Sequence, residues 1–245
     1  MDELPAAFRD NSYDEGLGLL LVFSHENFLR ENLSQRDGTV VDAKRLERAF
    51  AAFNFEVQIY HDQTREQIAD VLSSVRFEKY KSLVVIVMSH GQKGGLIAAK
   101  DGYYNVRDLY ETLFYKPELH GKPKAIVLQA CRGSNLEKRG LRGNLGLVSD
   151  VQLSNIHQDI KESDCLFAYS TVEGQQSFRD VDGSWYIQAL CDVMERGPEH
   201  QCMTSILTCV QRQVLQKIGK DYTAQTPTFV SYLKRNFILH RLVVT

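Results

Sequence analysis

Six short apolar runs alternate with longer segments in which apolar side chains recur every three or four residues. An uninterrupted apolar run is typical of a strand buried on both faces, whereas the longer spacing is typical of an amphipathic helix. We therefore predict strands at 17–23, 55–60, 83–88, 125–129, 165–169 and 227–232, and helices at 42–53, 64–76, 106–114, 185–195 and 203–218. Thr64 and Gln67 have the spacing of a capping box at the start of the second helix.

The alternation predicts an α/β fold, with a mostly parallel sheet covered by helices on both faces. The chain has 245 residues, of which 43% are hydrophobic, so we expect one substantial core and a single folded domain. In such sheets the functional residues lie at the carboxyl ends of the strands. The third predicted strand runs into Ser89, His90 and Gly91, and the fourth runs into Cys131.

Charge and cysteine content narrow the class of protein. A formal net charge of -2 gives no reason to expect nucleic acid or an anionic membrane as a partner. The acidic N-terminal stretch lacks the features of a secretory signal, and the apolar runs are too short to span a bilayer, so we expect a soluble cytoplasmic protein. An odd number of cysteines without a CxxC pair indicates neither a disulfide framework nor a zinc site, and no metal or other cofactor is expected. The five are Cys131, Cys165, Cys191, Cys202 and Cys209, of which the last four lie in apolar periodic segments and are expected to act as small hydrophobes.

Two segments do not follow the alternation of predicted strands and helices. Residues 134–163 are rich in Gly, Ser, Asn and charge, and a stretch of this length without a periodic pattern is long for a compact domain. It is therefore either a functional loop or a processing linker. Residues 1–15 are polar and acidic, which predicts a short disordered leader.

Cys131 and His90 are candidates for a nucleophile and its base. A free thiol has a pKa of about 8.5 and is mostly protonated at neutral pH, so a cysteine nucleophile needs a base or a positive environment. A parallel sheet can bring the strand end at His90 beside Cys131, where the backbone N–H groups of Gly91 and Cys131 could face a developing oxyanion. Taken singly, such a cysteine is usually core filling and such a histidine is usually a surface or capping residue, but the joint pattern favours catalysis.

The sequence "QACRG" at 129–133, with a histidine upstream, resembles the signature of the caspase family. Other stretches resemble caspase segments in the same order, and the resemblance extends over roughly residues 16–235. They are "RDGTVVDAKRLERAF", "DQTREQI", "MSHGQKG", "GKPKAIVLQACRG", "FAYSTVEGQQSFRDVDGSWYIQAL" and "QTPTFVSYL". The resemblance implies a caspase-like three-layer sandwich and a cysteine endopeptidase that cleaves after aspartate.

The resemblance also implies roles for individual residues. Cys131 would be the nucleophile and His90 the general acid/base, while Gly91 and Cys131 would form the oxyanion hole. Substrate aspartate would be bound by Arg36, Arg179 and Gln129. Two guanidinium groups in one pocket suit a carboxylate, because each can donate forked, charge-assisted hydrogen bonds.

Neighbouring subsites follow from the same resemblance. Ser177 and Arg179 would bind the substrate backbone, and Phe178 and Trp185 would wall the subsites beside the aspartate pocket. This sequence departs from the family here: Phe178 stands where caspases commonly have tryptophan, Gln176 where many have an apolar or aromatic residue, and the stretch between 218 and 225 is short. Substrate preference beyond aspartate is therefore not carried over.

Caspases are made as zymogens that are cut after aspartate between two subunit regions. By resemblance, residues 16–150 would form the large subunit region, 151–163 the end of the intersubunit linker and 164–245 the small subunit region. Asp150 and Asp159 are the candidate processing sites, with Asp150 preferred and Asp164 placed against the next strand. The alternative for each is an ordinary solvated loop acid.

The family also implies partners and a biological setting. The short leader resembles that of an executioner caspase acting in apoptosis, with protein substrates cut at aspartate and with upstream caspases and caspase inhibitors as further partners. The expected assembly is a homodimer of large-plus-small units formed near residues 228–233. One competing hypothesis is a catalytically silent homologue that regulates an active caspase by dimerisation, and another is a relative that cleaves after basic residues, which the pocket arginines disfavour.

Overall fold

A six-stranded sheet forms the centre of the protein in a computed structural model, which describes residues 11–133, 137–138, 164–180, 182–219 and 223–242. Its strands are β1 (Gly18–Ser24), β2 (Phe55–His61), β3 (Ser82–Met88), β6 (Lys124–Gln129), β8 (Cys165–Tyr169) and β13 (Thr228–Ser231). The order across the sheet is β13-β8-β6-β3-β1-β2, and all neighbours are parallel except the antiparallel pair of β13 with β8. The six predicted strands and the mostly parallel sheet are confirmed.

Helices cover both faces of the sheet. The helices are α1 (Thr39–Ala51), α2 (Arg65–Ser74), α3 (Val106–Phe114), α4 (Trp185–Arg196) and α5 (Met203–Gln216). Leu20 and Val22 of β1 pack with α1, α4 and α5, whereas Leu19 and Leu21 pack with α2 and α3. Because successive side chains of a strand point to opposite faces, a strand buried on both faces must be apolar throughout. The predicted three-layer α/β sandwich is therefore confirmed.

The helix boundaries differ from the predicted ones by a few residues. The largest difference is at α1, which begins at Thr39 rather than at residue 42. Val40 and Val41 are exposed in this first turn, so the apolar spacing that marks the buried face does not extend to it. The capping box before α2 is confirmed, since Gln67 N donates to Thr64 Oγ1 and Thr64 N donates to Gln67 Oε1.

Several short strands were not predicted. They are β4 (Leu96–Ala98), β5 (Tyr103–Asn105), β7 (Glu137–Lys138), β9 (Arg179–Asp180), β10 (Gly183–Ser184), β11 (His200–Cys202), β12 (Thr223–Ala224) and β14 (Ile238–His240). They form four two-stranded antiparallel pairs, β4-β5, β7-β12, β9-β10 and β11-β14. Runs of two or three residues are too short to show alternation in the sequence.

The prediction of a disordered leader is wrong for its last residues. Tyr13 is buried, and its hydroxyl donates to Asp164 Oδ1 at 2.6 Å and accepts from Lys234 N at 2.9 Å. A backbone hydrogen bond joins Tyr13 N to Asn236 O at 3.1 Å. The partners are more than 150 residues away in the sequence, so local composition could not indicate this docking.

The cysteines are all free thiols. Cys165 and Cys191 are buried in the core, as predicted, whereas Cys202 and Cys209 are partly exposed. In the described part of the chain, no helix has the length and apolar composition needed to cross a membrane.

Candidate active site

Two adjacent parallel strands carry His90 and Cys131 to the same edge of the sheet. Met88 of β3 pairs with Gln129 of β6, so each candidate residue lies two positions beyond a paired residue. Ser89 N continues the pairing by donating to Gln129 O at 3.1 Å. Both side chains are partly exposed where the strands end. The sequence-predicted pair is therefore brought to neighbouring strand ends.

Gly91 lies against the backbone of Cys131. A Cβ atom at this position would stand 2.2 Å from the carbonyl oxygen of Cys131 and 2.9 Å from Ala130 Cβ. Real Cβ atoms do not approach other atoms so closely, hence only glycine fits here without a shift of the backbone. The approach brings the residue after His90 into direct contact with the residue that carries the thiol.

The thiol of Cys131 faces the loop that precedes β9. Ser177 N lies 3.5 Å from Cys131 Sγ, and Cys131 Sγ lies 3.8 Å from Ser177 O. Two backbone hydrogen bonds dock the loops on each other: Arg132 N donates to Gln175 O at 3.0 Å, and Gly174 N donates to Arg132 O at 2.9 Å. The thiol is thus held beside a segment that follows residues 134–163 in the chain.

The imidazole of His90 is oriented by a backbone carbonyl. His90 Nε2 lies 2.7 Å from Ser34 O, and the ring of Phe28 packs against the imidazole at 5.0 Å between centroids. A carbonyl oxygen only accepts hydrogen bonds, so Nε2 carries the proton and Nδ1 remains able to accept one. Burial, together with the positive charges of Arg36 and Arg179, lowers the pKa of His90, which keeps the ring neutral at physiological pH.

Arg36 and Arg179 form a positive pocket beside this pair. Arg36 is 2% exposed, and its Nη1 donates to His25 O at 3.0 Å and to Thr39 Oγ1 at 3.1 Å. Burial, followed by the charge of Arg179, lowers the pKa of Arg36 to about 9. Arg179 is half-buried, and burial lowers the pKa of its guanidinium as well. Two neighbouring cations with restricted access to water favour an anionic ligand.

Two buried polar atoms of the pocket residues lack a hydrogen-bond partner within the described part of the chain. Among the described residues, neither Arg36 Nε nor Gln129 Oε1 has a hydrogen-bond partner. Gln129 Nε2 donates to Ser177 Oγ at 2.9 Å, which directs the amide from the end of β6 towards the Ser177 loop. Buried polar groups are normally satisfied in folded proteins, so the unpaired donor Arg36 Nε favours binding of an anion, whereas the Gln129 oxygen, an acceptor, does not.

Asp42 anchors the hairpin that carries Arg179. Its carboxylate is 1% exposed and accepts hydrogen bonds from Ser184 N, Ser184 Oγ at 2.7 Å and Gln188 Nε2 at 2.6 Å. Ser184 pairs with Arg179 across the β9-β10 hairpin. Burial raises the pKa of Asp42, and these hydrogen bonds together with Arg36 oppose that rise. The carboxylate therefore links α1 to the hairpin and sets a negative charge behind the two arginines.

Two aromatic side chains lie next to the segment that carries Arg179. The rings of Phe178 and Trp185 lie 5.1 Å apart between centroids, at 37°. Phe178 N donates to Gln225 Oε1 at 2.7 Å, and Gln225 Nε2 donates to Ser170 O at 2.7 Å. Gln225 is fully buried, so its amide holds the Ser177–Phe178 segment to the end of β8.

Residues 11–133, 164–180, 182–219 and 223–242 hold no group of three or more His, Cys, Asp or Glu side chains arranged to bind a metal ion. The candidate site is instead a thiol, an imidazole and an anion pocket. This set can perform nucleophilic acyl transfer on a substrate that carries a carboxylate.

Known proteins are similar to this chain in sequence and in architecture. A family model described as the caspase domain matches residues 17–238. The chain belongs to the caspase family. It is 34% identical to caspase-3 of Xenopus laevis over 233 residues, which cover 90% of this chain and 79% of that relative. It is 36% identical to caspase-3 of Felis catus over 219 residues, which cover 84% of this chain and 76% of that relative. The crystal structure of caspase-1 from Spodoptera frugiperda has a TM-score of 0.80, with 25% identity over 100% of this chain and 97% of that chain. As a caspase, the protein is a cysteine peptidase.

The structure places the sequence-predicted site residues of this caspase near one another at the ends of β3 and β6 and in the adjoining Ser177 loop, apart from the processing sites. Asp150 and Asp159 lie outside the described residues. Asp164 is 4% exposed and bonded to Tyr13, so it is closed to a protease in this conformation.

Three residues of the site were missed: Ser34, which binds His90 through its carbonyl, Asp42 and Gln225. A carbonyl contact leaves no signal in the sequence. Asp42 lies on the buried face of α1, between the apolar positions, and an acidic residue there signals a buried polar contact without identifying the partner.

Proposed function

We propose that this caspase is an endopeptidase that cleaves proteins after aspartate. The observation that carries the proposal is the pair Arg36 and Arg179, two guanidinium groups so close that the positive charge of Arg179 lowers the pKa of Arg36. A single carboxylate in the pocket would relieve the repulsion of the two cations and accept hydrogen bonds from both. A neutral or basic side chain would leave the buried charges uncompensated.

Cys131 is proposed as the nucleophile and His90 as the general acid/base. His90 Nδ1 takes the thiol proton, and the thiolate sulfur forms a bond to the scissile carbonyl carbon. The carbonyl oxygen becomes an oxyanion, which accepts hydrogen bonds from the backbone N–H groups of Gly91 and Cys131. The C–N bond then breaks, and the imidazolium gives its proton to the leaving amine.

Water completes the reaction. His90 takes a proton from the water, whose oxygen attacks the thioester carbon, and the proton returns to the sulfur as the C–S bond breaks. The products are a new carboxylic acid at the aspartate and the free thiol. No metal or cofactor enters any of these steps.

Substrate binding is proposed to use the surface around the pocket. Gln129 would donate to the aspartate carboxylate alongside the two arginines. The backbone of Ser177 and Arg179 would pair with the extended substrate, and Phe178 and Trp185 would flank the preceding side chains. The hydrogen bond that Phe178 N donates to Gln225 Oε1 supports this role, because it fixes the segment that would pair with the substrate.

The test compares the hydrolysis of peptides that differ only in the residue before the scissile bond, Asp, Glu, Asn or Arg. The proposal expects turnover of the Asp peptide alone, at a kcat/KM at least about 1000-fold above the Asn isostere, because Asn leaves both cations unpaired. A Cys131→Ala variant should be inactive. Comparable turnover of Asp and Asn peptides would overturn the assignment of specificity, and a folded protein with no turnover would favour the catalytically silent homologue.

Activation is proposed to follow a cut between residues 16–150 and 164–245, made autocatalytically or by an upstream caspase. Asp150 is the preferred site and Asp159 the second. The burial of Asp164 supports a cut before it in the sequence. On a gel, Asp150→Ala should remain a single chain while Asp159→Ala is processed normally; the opposite pattern would move the site to Asp159.

The oligomeric state and the biological setting of the protein are proposed by analogy with the caspase family. β13 is the edge strand of the sheet, and Val230 on it is 40% exposed, which supports a homodimer formed through this edge. A Val230→Lys variant should sediment as a monomer, and an unchanged dimer would contradict the assigned edge. Cytoplasmic action in apoptosis and binding of caspase inhibitors complete the proposal, and cleavage of apoptotic substrates in a cytosolic extract would test it.

A further inference from the structure

The segment after His90 is a small hairpin with His90 at its base. Ala98 N donates to His90 O at 2.9 Å, Gln92 N donates to Leu96 O at 2.9 Å, and Gly91 bridges Ile97. The turn at its tip contains Gly94 and Gly95, both with φ of 75°. A displacement of this tip would be transmitted along the paired backbone to His90.

Glu173 connects this tip to the residue after the nucleophile. Its Oε2 lies 2.6 Å from Arg132 Nη2, and its Oε1 accepts a hydrogen bond from Gly94 N at 3.3 Å. On the far side of the tip, Asn105 Nδ2 donates to Gly94 O at 3.0 Å. The carboxylate therefore has one oxygen on the hairpin of His90 and the other on the side chain next to Cys131.

Neighbouring groups restrict the movement of the Arg132 and Glu173 side chains. The side chains of Arg132 and Glu173 are 20% and 27% exposed, and the Arg132 guanidinium lies 4.2 Å from the centroid of the Tyr169 ring. Gly133 packs on Gly174, where a Cβ on Gly133 would stand 2.5 Å from Gly174 O. An ion pair held in this way is screened less than one between freely moving surface side chains.

We propose that Glu173 is a positioning residue, whose carboxylate sets the distance between His90 and Cys131 by tying the His90 hairpin to Arg132. This inference rests on the proposed function, because the distance matters only if these two groups react together. Within the described part of the chain, the Glu173 carboxylate contacts Arg132 and Gly94 rather than the thiol or the arginine pocket, so it sets the rate of the chemical step and leaves substrate binding unchanged. It follows residues 134–163 in the chain, and therefore couples the proposed small subunit region to both catalytic loops.

The experiment compares wild type, Glu173→Ala and Glu173→Gln in the linker-cleaved protein. Glutamine keeps the length of the side chain and an oxygen that can accept from Gly94 N, but it loses the charge that attracts Arg132. Glu195→Ala is the matched control, because Glu195 Oε2 pairs with Arg45 Nη2 at 2.7 Å on the α1–α4 surface. Two quantities are measured: kcat and KM on an Asp peptide, and the rate at which iodoacetamide alkylates Cys131, followed by peptide mass spectrometry.

Glu173→Ala should lower kcat by about 10-fold with KM within about two-fold, because a small misplacement of the base slows proton transfer. Glu173→Gln should recover part of the loss, and Glu195→Ala should match wild type. Alkylation of Cys131 should slow in the order wild type, Gln, Ala. An unchanged kcat together with unchanged alkylation, or a rise in KM alone, would overturn the inference.

The two proposals fail separately. If wild type does not cleave the Asp peptide, the proposed function is wrong, and the alkylation rates still decide whether Glu173 controls the environment of Cys131. If wild type cleaves and Cys131→Ala does not, while Glu173→Ala behaves as wild type in both measurements, only the role of Glu173 is wrong.

Discussion

Gly91→Ala tests the close contact between the loop of His90 and the backbone of Cys131. The added Cβ would stand 2.2 Å from Cys131 O, whereas non-bonded carbon and oxygen atoms normally lie above 3 Å apart, so the loops must separate by about 1 Å. Both sides of the contact are backbone, and neither can move aside as a flexible side chain can. The displacement falls on the peptide whose N–H is proposed to bind the oxyanion.

A misplacement of about 1 Å in an active site can reduce the rate by about 100-fold, which corresponds to about 2.7 kcal/mol of transition-state stabilisation. We therefore expect Gly91→Ala to lower kcat/KM on an Asp peptide by about 100-fold. The steric strain should also reduce the free energy of unfolding, by about 1–3 kcal/mol. Both quantities are measured on the same preparation, by initial rates and by urea unfolding.

Gly121→Ala is the control for loss of stability alone. Gly121 has a φ of 69° and open space around its Cβ position, so alanine there costs about 1–2 kcal/mol through its backbone conformation. It precedes β6, at the opposite end of the strand from Cys131. This variant should keep kcat/KM within about two-fold. A Gly91→Ala enzyme with wild-type kcat/KM would refute the proposed contact and the oxyanion role of Gly91.

Three further predictions concern Asp42, His90 and His25. Asp42→Asn should reduce the free energy of unfolding by about 2 kcal/mol in urea, because both oxygens accept hydrogen bonds and an amide NH₂ would oppose one donor; an unchanged midpoint would contradict this. Burial and the positive charges of Arg36 and Arg179 lower the pKa of His90, so its neutral form persists below pH 6.5. The acid limb of the kcat/KM profile should therefore lie below pH 6.5. In Arg179→Gln, which loses one of these charges, the acid limb should move to higher pH. A limb at or above pH 6.5 in wild type would argue against His90 as the base. Burial lowers the pKa of His25 in the folded protein to about 4. As the pH falls from about 6.5 to about 4, the unfolded chain takes up a proton that the folded protein does not, so the free energy of unfolding should drop by up to about 3 kcal/mol. His25→Gln should flatten this loss in denaturant titrations at pH 7 and 4.5, and equal losses in both proteins would refute it.

The sheet could be predicted because its four central strands, β1, β3, β6 and β8, are buried on both faces. β3 and β6 are apolar over nearly their whole length, so their ends are marked by the first reactive residues, His90 and Cys131. Parallel pairing then fixes which ends meet. The pairing of Met88 with Gln129 places His90 and Cys131 at neighbouring strand ends. The sequence alone does not define this register.

The supporting contacts could not be predicted, because each joins residues that are distant in the chain. Asp42 and Ser184 are separated by 142 positions and Phe178 and Gln225 by 47, and neither pair leaves a periodic signal. In the sequence "STVEGQQS", Glu173 has no feature that distinguishes it from an ordinary loop acid. Only the fold shows that it contacts Arg132 and Gly94. Local patterns thus locate the reacting groups, whereas long-range packing determines how they are held.

Covalent labelling tests whether Cys131 is the nucleophile of an aspartate-specific site. Two peptidyl fluoromethyl ketones are compared, one with Asp and one with the isosteric Asn before the reactive carbon, and the labelled residue is identified by peptide mass spectrometry. We expect one adduct per chain, on Cys131, with the Asp reagent. We expect no adduct with the Asn reagent, and none in the Arg36→Gln or Cys131→Ala variants. Labelling of another cysteine, or equal labelling by the Asp and Asn reagents, would contradict this assignment.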